Sequence, residues 1–194
     1  MKKQLLALGA ALLLTPALTA CSSFNDTMLF LYGGDAFVQE EGTAYTEYDG
    51  ENGVSLVYDA HVWEAPVMAQ ADTISLTSGN RISYTAVLLQ NGGDYTDFLA
   101  QSGEELAAEN NAIEYEFDFT VPQADVSAVR YDCGSYQAIF AQLDYDSGTT
   151  IYVTAATKSG SYDQITDLLQ NVYPTGQAPD NALALLTPET AQEG

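Results

Sequence analysis

The sequence predicts an α+β domain in which an antiparallel β-sheet packs against two main helices. Short apolar or alternating segments recur between turns rich in Gly, Asn and Asp, which is typical of antiparallel strands. Residues 136–145 and 149–157 flank an Asp-Ser-Gly turn, which favours a hairpin. Apolar residues recur at helical spacing in two places, near residues 94–109 and 161–173.

The first half of the domain is expected to consist of strands. Apolar and polar residues alternate weakly over residues 43–48, which are followed by a cluster of turn-forming residues at 49–53. The apolar run 54–58 predicts the next strand. Residues 73–77 and 82–89 predict a strand pair, because the Ser-Gly-Asn turn between them suits a hairpin.

An amphipathic helix is predicted next. Asp94 is a suitable N-cap, and the asparagines at 110 and 111 end the helix. Gly103 weakens its middle, because glycine costs about 1 kcal/mol relative to alanine in a helix. The residues at helical spacing are Tyr95, Phe98, Leu99, Ser102 and Leu106.

The segment Ile113 to Val121 has the clearest alternation in the chain. Its odd positions are apolar or aromatic, and its even positions are acidic or threonine. This period of two predicts one strand that ends at Pro122, with a shared apolar face. The residues of that face are Ile113, Tyr115, Phe117, Phe119 and Val121. Residues 126–131 predict the strand that follows.

A second helix is predicted to close the domain. Ser161 and Gln164 fit a capping box, and Pro174 ends the helix. One apolar face of that helix contains Tyr162, Ile165, Leu168, Leu169 and Val172. Residues 175–194 are rich in Pro, Thr, Gln and acids, which predicts a mostly disordered acidic tail. A helical turn at Ala182 to Leu186 is the alternative.

The N-terminus carries a targeting element. Lys2 and Lys3 precede an apolar segment at residues 5–14, which is too short to span a bilayer. The motif Leu18-Thr19-Ala20-Cys21 resembles the lipobox of bacterial lipoproteins. In that family the cysteine is acylated through its sulfur and becomes the first residue after cleavage. The alternative is an ordinary cleaved signal peptide with a chance cysteine.

The lipobox resemblance implies a location and a domain organisation. Residues 1–20 are the signal peptide, 21–42 the lipidated N-terminus and linker, 43–174 the α+β domain and 175–194 the tail. A diacylglycerol with palmitate-type chains on Cys21 would hold the protein at the cell membrane, on the extracytoplasmic side, because two chains anchor stably where one binds marginally.

The charge balance limits the possible partners. The chain has 27 acidic and 5 basic residues, and removal of the signal peptide leaves only Arg81, Arg130 and Lys158 as cations. Nucleic acid is excluded as a partner, because phosphate binding requires Lys and Arg. The acidic excess has two interpretations, which are the solubility of an exported protein and attraction of cations or a basic partner.

The mature region also resembles the PsbP-like family. The resemblance covers residues 45–174 and rests on Gly53 to Tyr58 followed by Trp63, on Tyr95-Thr96-Asp97-Phe98, and on the helix Ser161 to Tyr173. Asp59 and Val62 stand where the family often has Pro and Gly. The resemblance implies a sheet-and-helix sandwich and a mostly noncatalytic role without a universal ligand.

The residue types that carry catalysis are scarce. His61 is the only histidine, and Cys133 is the only cysteine besides Cys21. Cys133 adjoins Asp132 and no basic residue, so nothing nearby favours its thiolate, and it is expected to pack as a small hydrophobe. One histidine and one free cysteine make a zinc site improbable. We therefore expect no enzyme activity and no cofactor.

Carboxylates are the abundant functional groups. Asp144 and Asp146 precede Gly148 in a pattern that resembles the start of a calcium loop, and Asp49 with Glu51 forms a similar acidic turn. Both turns need Asp and Gly as hairpin connections in any case. A carboxylate pair is also the machinery of glycoside hydrolysis.

These observations predict a membrane-tethered lipoprotein that acts as a noncatalytic binding or accessory module. Its partners would be the membrane, through Cys21, and an envelope protein or a small ligand. The alternative is a calcium-binding surface lipoprotein that uses Asp144, Asp146, Asp49 and Glu51. A small hydrolase is the third hypothesis.

Overall fold

The computed structural model describes most of the predicted domain. The described residues are 41–79, 84–92, 112–158 and 162–187, with Ala100, Gly103, Glu104, Leu106 and Ala108. The signal peptide, Cys21, most of the linker, and the expected caps Asp94 and Ser161 lie outside them. In the described part of the chain, no helix has both the length and the apolar character needed to cross a membrane.

The described residues form ten strands and two complete helices. The strands are β1 (Tyr45–Asp49), β2 (Val54–Asp59), β3 (Val67–Gln70), β4 (Thr73–Gly79), β5 (Tyr84–Asn91), β6 (Ile113–Glu116), β7 (Ala124–Asp132), β8 (Gln137–Tyr145), β9 (Thr150–Thr157) and β10 (Val172–Pro174). The helices are α1 (Tyr162–Leu169) and α2 (Asp180–Leu185). The five isolated residues at 100–108 are helical as well.

All strand pairs are antiparallel, as expected. Seven strands form a sheet in the order β3-β4-β5-β9-β8-β7-β6, and a smaller sheet has the order β1-β2-β10. Strands take up 51% of the described residues and helices 15%, so this part of the chain is richer in β-structure than the predicted α+β domain with two main helices. The sequence does not predict β3 or β10.

The hairpins predicted for the large sheet are confirmed in outline. β8 and β9 pair from Asp144↔Thr150 to Gln137↔Thr157, and β4 pairs with β5 along its whole length. Gly148 closes the β8–β9 turn at a φ of 85°, in the left-handed region that glycine adopts without a steric penalty. The Asp-Ser-Gly turn therefore predicts the β8–β9 hairpin correctly.

The central strands of the seven-stranded sheet are buried on both faces. On one face, Ile139, Leu143 and Val153 pack with α1 residues and with β2 in a first core. On the other face, Phe140, Tyr131 and neighbouring residues pack around the helical residue Leu106 in a second core. Alternate residues of β8 thus enter different cores, which explains why the run from Ala138 to Ala141 is entirely apolar.

The C-terminal helix is shorter than the sequence predicts. α1 ends at Leu169, and Val172 lies in β10, where it pairs with Leu56 of β2. This corrects the prediction that Val172 extends the apolar helix face. Pro174 prevents the helix from continuing through this segment. Val172 instead pairs with β2, which provides strand hydrogen bonds and a buried position.

The prediction of one long strand at Ile113 to Val121 is also corrected. Only β6 (Ile113–Glu116) forms a ladder with another strand, and its four residues are all exposed, Ile113 at 57% and Tyr115 at 39%. Phe117 and Phe119 then leave the ladder and pack on the first core, and Val121 is buried. The predicted shared face is therefore split between solvent and core.

The start of the predicted tail belongs to the fold. α2 forms there, close to the helical turn given as the alternative, and its Ala182 is fully buried beside Val57 and Tyr173. This corrects the tail prediction for residues 180–185. Residues 188–194 lie outside the described part of the chain.

Candidate functional site

A groove of about 680 Å³ opens where the small sheet meets the two C-terminal helices. It is bounded by β1, the end of β2, the loop that follows β2, α1, the turn after α1, and α2. The lining residues are Tyr45, Val57, Tyr58, Asp59, Val62, Trp63, Asp163, Gln164, Asp167, Leu168, Gln170, Asn171, Asn181 and Leu185. Its volume is in the range of ligand sites, which hold roughly 300–1,000 Å³.

Aromatic and aliphatic side chains form the apolar part of the lining. Trp63 and Tyr58 are almost buried, and they belong to the first core together with Leu168 of α1. Burial raises the pKa of Tyr58 above its ordinary value of 10.0, because the phenolate would lose its hydration. Tyr45 is 38% exposed, so its ring is available to a ligand.

The loop that carries Trp63 is held by Asp59. Its carboxylate Oδ1 accepts hydrogen bonds from the backbone N–H groups of Ala44 (2.8 Å) and His61 (2.9 Å). Its backbone carbonyl accepts from the N–H groups of Val62 and Trp63 at 3.0 and 2.9 Å. One aspartate therefore organises this wall of the groove.

A second chain of hydrogen bonds ties the same loop to α1. Gln164 Nε2 donates to Ser78 Oγ at 2.7 Å, and Ser78 Oγ donates to the Val62 carbonyl at 2.6 Å. Ser78 lies in β4 and is buried, so the loop and α1 are both fixed to the large sheet. The groove is consequently preformed, which lowers the entropic cost of binding.

The groove is strongly acidic. Asp59, Asp163 and Asp167 line it, and the described lining contains no Lys, Arg or His. Asp163 and Asp167 are four residues apart on the exposed face of α1, which places them on the same side of that helix. At neutral pH three carboxylates therefore border one groove.

Side-chain amides form the rim towards α2. Asn181 Nδ2 donates to the Gln170 carbonyl at 3.4 Å and to Asn171 Oδ1 at 3.3 Å, and Asn171 Nδ2 donates to the Asp167 carbonyl at 2.9 Å. Amide groups both donate and accept hydrogen bonds. The rim can thus bind a ligand that presents peptide-like groups.

The carboxylates predicted to bind calcium lie elsewhere, in two different sheets. Asp144 Oδ1 accepts from Thr150 Oγ1 at 2.6 Å, and its Oδ2 accepts from Gln142 Nε2 at 2.7 Å. Asp49 Oδ1 accepts from Ser55 Oγ at 2.6 Å. These two hydrogen bonds account for one acceptor site on each oxygen of Asp144.

The remaining two predicted ligands, Asp146 and Glu51, are exposed turn residues. Within the described ranges, no group of three or more His, Cys, Asp or Glu side chains converges as a metal site would require. The calcium hypothesis stays a prediction that the described geometry does not favour.

His61 and Cys133 both lie outside the groove lining. His61 is half-buried in the loop after β2. Cys133 is half-buried after β7 and packs against the second core. Its observed packing agrees with the interpretation of Cys133 as a small hydrophobe.

Sequence reasoning missed most of the groove. Trp63 was noted for its place in the PsbP-like pattern, but Tyr45, Asp59, Asp163 and Asp167 were not proposed as site residues. The spacing of Asp163 and Asp167 was a signal that two carboxylates share a helix face. Nothing in the sequence indicated that Asn181 and Leu185 would complete the opposite wall.

No protein-family model matches this chain, and no curated protein matches it. The chemistry of the groove follows from its own lining, which combines aromatic rings, three carboxylates and a row of amides. Such a lining can bind a ligand that has apolar, cationic and hydrogen-bonding parts.

Proposed function

We propose that this protein is a noncatalytic binding or accessory module, and that the groove between the small sheet and α1 and α2 is its ligand site. The observation that carries the proposal is the preformed, open groove, whose walls are fixed by Asp59 and by the Gln164–Ser78 hydrogen bond. Its lining combines aromatic anchors with polar groups that orient a ligand, which is the usual composition of a binding site.

We further propose that the module is tethered to the extracytoplasmic side of the cell membrane through lipid on Cys21. The lipobox resemblance of Leu18 to Cys21 supports this location. The excess of acidic residues would be repelled by anionic lipid headgroups, so the tether has to supply the membrane affinity. Tyr45 lines the groove and begins the first strand, so the proposed tether would join the domain near the groove.

A PsbP-like sandwich is the finer fold assignment that we propose. The two buried faces of the central strands of the seven-stranded sheet support it, because α1 covers one face and the helical residue Leu106 packs on the other. The paired β8–β9 hairpin followed by α1 also agrees with the element order of that family.

Site-specific photo-crosslinking tests the groove as a ligand site. In the full chain expressed in bacterial cells, p-benzoylphenylalanine would replace Tyr45 in one variant and Tyr115 in the control. The two tyrosines are equally exposed, at 38% and 39%, but only Tyr45 lines the groove. We expect light-dependent adducts at position 45 and none at position 115.

A blocking substitution completes this test. Asn181→Trp places a large side chain on the exposed rim and should abolish the adduct at position 45. Equal adducts at both positions, adducts that persist after blocking, or no adduct at position 45 would contradict the ligand site.

The tether has a separate test. Cells that incorporate labelled palmitate should yield labelled protein in the membrane fraction, and Cys21→Ala should lose both the label and the membrane association. A Cys133→Ala variant is the control and should keep both. A label that survives Cys21→Ala would overturn lipidation at this residue.

A further inference from the structure

We propose that the groove binds a basic, Lys- or Arg-containing peptide segment of another protein. This inference rests on the proposed function and adds the chemical class of the ligand. Three observations lead to it, namely carboxylates in the groove without a partner, the shortage of cations in the mature chain, and an amide and aromatic lining suited to a peptide.

The carboxylates of Asp163 and Asp167 have no hydrogen bond or ion pair within the described residues. The backbone carbonyls of Asp163 and Asp167 accept hydrogen bonds from Thr166 and Asn171, and both residues are exposed. Asp59 uses Oδ1 for its two backbone hydrogen bonds, and Oδ2 has no partner in the described part of the chain. The groove therefore concentrates negative charge that remains available to a ligand.

The chain itself offers few cations to neutralise this charge. No Lys or Arg occurs in residues 21–80 or in residues 159–194. The guanidinium carbon of Arg130 lies 4.4 Å from the ring centroid of Tyr115 and 4.5 Å from that of Tyr162, and neither ring belongs to the groove. A second copy of this chain is equally acidic and would be repelled. Because the described lining holds no Lys or Arg, a complementary cation would come from a different molecule.

The lining favours a peptide over a single metal ion. No three acidic side chains converge as metal ligands in the described residues, so Asp59, Asp163 and Asp167 do not form one metal site. Carboxylates on different elements of one groove suit several cations on an elongated ligand. Gln170, Asn171 and Asn181 can bond peptide groups, and Tyr45 can pack on the aliphatic stem of Lys or Arg.

Fluorescence anisotropy tests this proposal with the mature lipidated chain in nonionic detergent. The probe is a fluorescein-labelled peptide of sequence Gly-Lys-Tyr-Lys-Gly-Lys-Gly, and its control has Gln in place of every Lys. We expect saturable binding of the Lys peptide, weakened by salt, and no saturable binding of the Gln peptide.

Two matched double variants distinguish binding in the groove from a general effect of the protein's net charge. Asp163→Asn with Asp167→Asn removes two groove carboxylates and should weaken binding by about tenfold. Asp118→Asn with Asp125→Asn removes the same charge at two exposed positions outside the groove and should change binding less than about twofold. Asp163→Glu with Asp167→Glu keeps both carboxylates and should retain most of the affinity, and thermal melting of each variant checks that α1 still forms.

Several results would overturn the basic-peptide ligand. These are equal binding of the Gln peptide, equal losses in the two double variants, or no binding of the Lys peptide. If the crosslinks at position 45 persist in any of these cases, the groove remains a ligand site and only the ligand class is wrong. If those crosslinks also fail, the proposed function fails with it.

Discussion

The central hairpin β8–β9 and the edge strand β6 were predicted from sequence patterns of similar strength, yet they have opposite surroundings. β8 and β9 lie between other strands and contribute fully buried residues to both cores, such as Ile139 and Ala156. β6 has one strand neighbour, and all four of its residues are exposed. An alternating pattern thus predicts a strand, but a strand's burial depends on its place in the sheet.

The two regions also differ in what holds them. The central hairpin is stabilised by apolar burial on both faces. β6 is held through β7 and polar contacts, because Tyr131 Oη donates to the Glu114 carboxylate at 2.7 Å and the Arg130 guanidinium lies between the rings of Tyr115 and Tyr162. The comparison can be tested by truncating one contact of each kind.

The largest expected effect is the loss of a buried side chain in the central hairpin. Ile139→Ala should lower the free energy of unfolding by about 2–5 kcal/mol, since Ile139 is fully buried and its truncation leaves a cavity. Ile113→Ala in β6 is the matched control and should cost less than about 0.5 kcal/mol, because Ile113 is 57% exposed. Urea unfolding measures both values, and similar losses would show that β6 is as buried as β8.

The second-largest loss of stability is expected from removing the buried hydroxyl of Tyr145. Tyr145 at the end of β8 donates a hydrogen bond to the Val172 carbonyl at 2.7 Å, which joins the large sheet to β10. Tyr145→Phe leaves this buried acceptor without its donor and should cost about 1–3 kcal/mol at pH 7. Tyr115→Phe, at the exposed edge, should be nearly neutral in the same urea unfolding assay.

The same tyrosine predicts a dependence on alkaline pH. Burial raises the pKa of Tyr145 well above its ordinary value of 10.0, so the folded state favours the neutral phenol. This contribution is fully present below pH 10 and is lost as the pH rises through the folded pKa. The free energy of unfolding should therefore fall above pH 10, and less steeply in Tyr145→Phe. Equal slopes in both proteins would contradict the assignment to Tyr145.

The smallest effect is expected at the contact that joins β6 to α1. Arg130→Met keeps the apolar stem but removes the cation between the two tyrosine rings, and should cost about 1 kcal/mol. Arg130→Lys should retain part of this stabilisation. Urea unfolding gives the values, and hydrogen exchange of the β6 amides shows whether the loss is local. If the Met variant is as stable as the native chain, the Arg130 contacts do not stabilise β6, and its pairing with β7 is sufficient.

Most of the strands and the tight β8–β9 hairpin can be predicted from local sequence patterns. Turn residues and period-two patterns are local properties, so the chain encodes them within a few neighbouring residues. β2, β4, β5, β7, β8 and β9 are confirmed for this reason, and so is the turn that Gly148 closes. The overall charge was likewise available from composition alone, and it pointed to a basic partner as one of two interpretations.

The end of helix α1, the exposure of the alternating residues and the position of the groove all depend on long-range packing. Val172 leaves the helix because β2 provides a partner from far along the chain, and Ile113 is exposed because β6 is an edge strand. The groove unites Tyr45, Asp59, Asp163 and Asn181, which are distant in sequence. Such contacts depend on which elements pack together, and a local sequence pattern does not specify which distant segment it will contact.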